Sequence, residues 1–163
     1  MSSEPLIEAF VRSTMMVLAT SCKEVAVDFR RSDSPLQCSE EDVIGVMGMS
    51  GNVGLTSTVA FPSTLATTIV SLMCGYEEEE LSRDDVDDGI SEFLNMVCGN
   101  SKTWLNQGGY GFELSVPTVI RAADYRIAHH RNLRTVGARF SLLGSAFDLR
   151  LSIKQHVTQP AAR

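Results

Sequence analysis

The spacing of apolar residues changes period several times along the chain, and that succession of periods limits the folds open to it more than any other feature. From Pro5 to about Cys22, the residues Leu6, Ile7, Phe10, Val11, Thr14, Val17 and Leu18 recur at steps of three and four, as on one face of a helix. Pro5 suits a first helical turn. The period then becomes two: Val25, Val27 and Phe29 alternate with Ala26, Asp28 and Arg30, which predicts a half-buried strand. Ser32 to Ser39, with Pro35, reads as a loop. Two further strands, Asp42 to Met49 and Asn52 to Phe61, are predicted to meet at Ser50-Gly51 or its neighbours, where Gly51 can supply the positive φ of a tight turn. Pro62 ends the second strand and opens a helix from Ser63 to about Met73 that stops at Gly75.

The acidic runs Glu77 to Glu80 and Asp84 to Asp88 read as a solvated connection that brings negative charge to the N-terminus of the next helix, roughly Asp84 to Asn106. Gln107-Gly108-Gly109 ends that helix. Strand patterns return at Phe112 to Arg121, Tyr125 to His129, Val136 to Leu142, and along Phe147, Leu149, Leu151 and Ile153. Leu143-Gly144-Ser145 separates the last two as a hairpin. This order predicts an α+β fold: a mainly antiparallel sheet with a long N-terminal helix and two further helices packed on it.

Composition excludes several function classes. A chain of 163 residues, 44% apolar, is large enough for one core and short for two, so residues 1–157 are read as one domain and the stretch from Thr158 as a disordered tail. A net charge of −6 without clustered Lys and Arg argues against nucleic acid. Cys22, Cys38, Cys74 and Cys98 form no C-x-x-C pair, so reduced thiols are expected rather than a zinc or redox site. The apolar run Thr14 to Cys22 fails as a targeting signal because Glu4 and Glu8 precede it, and no stretch approaches a membrane span. A cytoplasmic location is the expectation. His129-His130 point to opposite faces if they lie in a strand, which suits a surface or edge role. No carboxylate cluster suggests a metal site, and the Met residues and Trp104 read as core filling.

The long helix is the informative element. At about 100° per residue, Ile90, Phe93, Leu94, Val97, Trp104 and Leu105 share a broad apolar face. Asp88, Glu92, Asn95 and Gly99 line up on the other side. Asn in mid-helix stabilises less than Ala by roughly half a kcal/mol and Gly by about 1 kcal/mol, so something other than helix stability favours them. Gly99 also leaves backbone open to close approach. By itself, an exposed Glu and Asn are an ordinary solvated face, and Asp88 equally suits an acid near a helix N-terminus.

The segment Asp88-x-x-x-Glu92-x-x-Asn95, followed by Pro117, resembles the signature of the CheC, CheX and FliY chemotaxis phosphatases. Twenty-one residues separate Asn95 from Pro117, one fewer than the usual family spacing. The resemblance runs on through Gly48-Met49-Ser50-Gly51-Asn52-Val53-Gly54, Ala60-Phe61-Pro62 and Asn95-Met96-Val97-Cys98-Gly99-Asn100. CheC-type members carry the motif on two helices. The helix from Ser63 offers only Thr64, Thr67, Thr68 and Ser71, so the chain resembles the single-site CheX branch, whose members form homodimers.

The resemblance implies a CheC-like fold and an enzyme that hydrolyses the aspartyl phosphate of a CheY-like response regulator. Asn95 would hold the attacking water, and Glu92 would pair with the regulator's active-site lysine. Asp88, Gly99 and Pro117 would contact the partner. The Mg²⁺ of this chemistry would sit on the response regulator, with no cofactor on this chain. The rival expectation is a module that binds or sequesters the regulator without hydrolysis, and retention of both Glu92 and Asn95 favours the enzyme. A flagellar switch component related to FliY is the third.

Overall fold

Helical periods become helices and two-residue periods become strands. In a computed structural model, which describes residues 3–23, 28–32, 36, 39, 42–121 and 133–154, the first helix, α1, runs Glu4–Ser21 with Pro5 in its first turn. It buries Leu6, Ile7, Phe10, Val11, Val17 and Leu18, the residues whose spacing predicted it. The strands β1 (Asp28–Arg31), β2 (Val43–Ser50) and β3 (Gly54–Phe61) follow. The second helix, α2, runs Ser63–Cys74 and closes at Gly75, whose φ of 75° lies in the left-handed region. A short 3₁₀ turn, Glu78–Glu80, leads into α3 (Arg83–Gln107). The strands β4 (Glu113–Leu114), β5 (Thr118–Ile120), β6 (Leu133–Leu142) and β7 (Ser145–Lys154) complete the described elements.

The strands form one seven-stranded sheet in the order β1-β6-β7-β3-β2-β4, with β5 also paired to β2. Every pairing is antiparallel. The predicted α+β architecture is therefore the observed one. Register places the apolar parity of each central strand in rows: Gly45 opposite Val59, Val59 opposite Leu149, and Leu149 opposite Ala138. Across these rows lies an aromatic stack. Phe147 stacks on Phe61 at 4.3 Å and on Phe140 at 5.0 Å between ring centres, and Phe93 of α3 meets Phe61 edge-on at 5.4 Å. Phe93 thus keys α3 to the middle of the sheet, and α3 also packs against α1, α2 and the β2, β4 and β5 strands. Gly89 lets α2 come close, because a Cβ there would overlap the Val70 methyl groups.

Several expectations are corrected. Gly51 does not have a positive φ. Its small size serves instead to admit the α3–β4 connection, since a Cβ at Gly51 would lie 2.7 Å from the Gly111 carbonyl oxygen. The strand ending near Arg30 is not half-buried in its described part: Asp28–Arg31 are all exposed, with β1 at the edge of the sheet among the described strands. Phe29 still reaches Phe140, at 5.9 Å. Phe112 to Arg121 is not one strand but two, interrupted at residues 115–117. Trp104 is half-buried rather than core, and the Arg12 guanidinium covers its ring at 3.7 Å. Met16 is exposed as well, although Met47 and Met49 are core. The predicted strand Tyr125 to His129, His130, Cys38 and the tail from Thr158 lie outside the described residues.

Candidate active site

The helix carrying the predicted site is anchored at its start. Ser82 is the N-cap of α3; the Asp85 amide donates to its Oγ at 3.2 Å, and the Ser82 amide donates to Asp85 Oδ2 at 2.8 Å. The Ser82 hydroxyl, helped by its amide, holds the Asp85 carboxyl below the usual 3.8. One turn later the apolar face engages: Val86, Ile90, Phe93, Leu94, Val97, Cys98 and Leu105 are buried. Side chains 100° apart then force the opposite side outward.

Asp88, Glu92 and Asn95 are exposed on that opposite side, and Asn95 Nδ2 donates to Glu92 Oε2 at 3.4 Å. The carboxylate and carboxamide therefore project together from one rigid ridge, with solvent around both. Gly99, one turn on, has nothing within 4 Å of where a Cβ would stand. Pro117 is on a different element, half-buried in the interruption between β4 and β5. On α2 the candidate hydroxyls are turned back on the chain: Thr67 Oγ1 donates to the Ser63 carbonyl, Thr68 Oγ1 to Thr64 and Ser71 Oγ to Tyr76. That helix has no second carboxylate–carboxamide pair.

Two ion pairs beside the ridge had no signal in the sequence. Arg121 Nε donates to Asp87 Oδ1 at 2.6 Å, and Lys102 Nζ to Glu113 Oε2 at 3.3 Å. Both join α3 to the segment that holds β4 and β5. Their partners are far apart in sequence, so periodicity carries no trace of them. The buried thiols behave differently from the ridge: burial pushes Cys98 up to about 12 and Cys22 up to about 11. Among the described residues no group of three His, Cys, Asp or Glu side chains is placed to hold a metal ion. No described helix is long and apolar enough to cross a membrane.

An amphipathic helix laid over an antiparallel sheet, with an acid–amide ridge facing out, defines a protein of the CheC-like fold. The crystal structure of a CheC-like superfamily protein from Shewanella sp. PV-4 is similar, with 26% identity over 93% of this chain and 98% of that one and a TM-score of 0.78. The chemotaxis protein CheX of Vibrio vulnificus is 24% identical over 91% of this chain and 99% of that one, with a TM-score of 0.79. In a structure of a CheX–CheY–BeF₃–Mg²⁺ complex from Borrelia burgdorferi, the matched chain is 17% identical, covers 92% of this chain and 98% of its own, and has a TM-score of 0.74. At these two lower identities the likeness is one of fold. No curated protein sequence matches the chain. The family model described as chemotaxis phosphatase CheX matches residues 43–141, well over half the sequence, and the chain belongs to that family.

Proposed function

We propose that this protein removes the phosphoryl group from the active-site aspartate of a CheY-type response regulator. The observation that carries the reading is the exposed pair Glu92 and Asn95, 3.4 Å apart on the outward ridge of α3. Membership of the CheX family supports the reaction class. A CheX solved together with CheY supports the class of partner.

The reaction breaks the bond between phosphorus and the aspartyl oxygen while a water oxygen bonds to phosphorus from the opposite side. The carboxylate leaves with the bonding electrons; one proton of the water stays on the oxygen that has joined phosphorus, and the other passes to a second phosphate oxygen or to solvent. Such transfers are accelerated mainly by positioning and charge neutralisation. Asn95 is suited to the first task, because its carbonyl accepts a hydrogen bond from the water and its amide donates to a phosphoryl oxygen. Charge neutralisation falls to the regulator's own Mg²⁺ and lysine. Glu92 is suited to pair with that lysine, a charge-assisted contact that also frees the Asn95 amide from its long bond to Glu92. Asp88 and the bare backbone at Gly99 complete the docking ridge, and Pro117 flanks it.

The test is loss of phosphate from a CheY-type receiver domain charged with acetyl phosphate. Asn95→Ala is expected to lower kcat about 100-fold, the scale of a misplaced reactant, while the receiver still binds. A variant that hydrolyses at the native rate removes Asn95 from the mechanism. A native protein that binds the receiver without speeding hydrolysis makes the molecule a sequestering module instead.

A further inference from the structure

Register counting exposes a feature beside the ridge of which the family motif contains only Pro117. Along the free side of β2, Ser50 pairs with Glu113 and Met49 with Leu114. Gly48 and Ser115 come next: the Ser115 amide donates to the Gly48 carbonyl at 2.9 Å, and the Gly48 amide to Ser115 Oγ at 2.9 Å. When pairing resumes, Val46 is opposite Thr118 and Gly45 opposite Val119. Val116 and Pro117 therefore both stand opposite the single residue Met47, which is a β-bulge. Counted in alternate steps from Leu114, Val116 faces the helix side; counted from Val119, so does Pro117. Both Leu114 and Val119 pack against the core on that side. Val116, by contrast, is 84% exposed, the most exposed large hydrophobic among the described residues.

The two ion pairs locate the bulge along α3. Glu113 is tied to Lys102 and Arg121 to Asp87, so the segment runs antiparallel to the helix. Asp87 to Lys102 spans about 22 Å at a rise of about 1.5 Å per residue. Glu113 to Arg121 spans about 26 Å at about 3.3 Å per residue. Matched lengths pinned at both ends put Val116-Pro117, at the middle of one, level with Asn95, at the middle of the other. Azimuth agrees with height. By steps of about 100°, Lys102 lies about 20° and Asp87 about 80° from Asn95 in the same sense around the helix, so the flank of α3 that faces β4 and β5 borders Asn95.

Resting on the proposed function, we infer that the Val116-Pro117 bulge is the second wall of the docking surface. In this arrangement Val116 inserts against an apolar patch of the receiver that lies within about 10 Å, one helix diameter, of its phosphorylated aspartate. The ridge of Asp88, Glu92 and Asn95 is entirely polar and acidic, so by itself it discriminates little beyond charge. A single apolar side chain aimed outward beside it supplies shape and desolvation at the centre of the contact. The occupant follows from continuity with the ridge: in this placement a receiver docked over Asn95 also meets Val116.

Steady-state dephosphorylation of a receiver charged with acetyl phosphate tests this with Val116→Asp, Val116→Leu and Asn95→Ala measured side by side. Val116→Asp is expected to raise KM for the phosphorylated receiver at least tenfold, with kcat changed less than twofold, and Val116→Leu to restore the native KM. High exposure keeps the fold out of the comparison, and an unchanged thermal midpoint verifies that. An unchanged KM in Val116→Asp, with kcat still lost in Asn95→Ala, overturns the docking role of the bulge and leaves the proposed reaction standing. Native kcat in Asn95→Ala overturns the reaction itself, and a native protein without turnover removes both.

Discussion

Among individual residues, Asn95 and Glu92 were legible because an α-helix makes i, i+3 neighbours of them whatever the rest of the fold does. Their 3.4 Å contact follows from that local geometry. Glu92→Ala is expected to weaken binding to a phosphorylated receiver about tenfold, the scale of a lost charge-assisted hydrogen bond, as read by fluorescence titration. Native affinity in that variant would remove the anchoring role. The thiols give a second residue-scale prediction. Burial holds Cys98 and Cys22 protonated up to about 12 and 11, above the ordinary 9.0, while Cys74 is exposed. At pH 8, a maleimide should label Cys74 in minutes and leave Cys22 and Cys98 unlabelled until the protein unfolds. The linkage has a definite sign: between pH 9 and 12 the unfolded chain releases protons that the folded chain keeps, so this contribution is whole below pH 9 and falls as pH rises. The Arg121–Asp87 pair shows the opposite case of legibility, since its partners meet only because β5 runs beside α3.

At the scale of elements, periodicity located α1, α2, α3, β2, β3, β6 and β7 to within a few residues. It failed on Phe112 to Arg121, where alternation continues through a region that the backbone breaks into β4 and β5. Alternation reports which side chains are apolar and is silent on an extra residue in a ladder, which is a property of the partner strand's register. The β6–β7 hairpin is a place where the turn and its residues disagree. Leu143 and Gly144 form the two-residue loop with φ of 51° and 72°, the mirror-image turn that favours Asn-Gly. Leu143 has 55% of its surface exposed and buries little in exchange for its left-handed backbone. Leu143→Asn is therefore expected to stabilise the protein by about 1 kcal/mol, seen as a higher urea midpoint at unchanged slope. A lower midpoint would mean that Leu143 makes a contact worth more than the backbone cost.

In the whole molecule, the sheet and the helices divide the labour: Phe93, Leu94 and Ile90 lock α3 onto the core, and that rigidity is what holds Glu92 and Asn95 outward. Among the described strands the sheet ends in two different edges, the exposed β1 on one side and the broken β4–β5 segment on the other. An edge strand offers unpaired backbone groups to another chain. Two copies of this chain are expected to associate, and light scattering at micromolar concentration should return twice the mass of 17.8 kDa. A monomer mass would remove the homodimer that the family resemblance implies. By itself, the sequence determined the helices and long strands, the α+β class and the acid–amide ridge, because each depends on neighbours within a turn or two of the chain. Only the tertiary structure decided that Gly51 makes room for a passing loop, that Arg12 covers Trp104, and that the break between β4 and β5 leaves Val116 exposed. Those depend on which distant segments lie side by side, and local spacing holds no record of the residues that a strand or helix will meet across the fold.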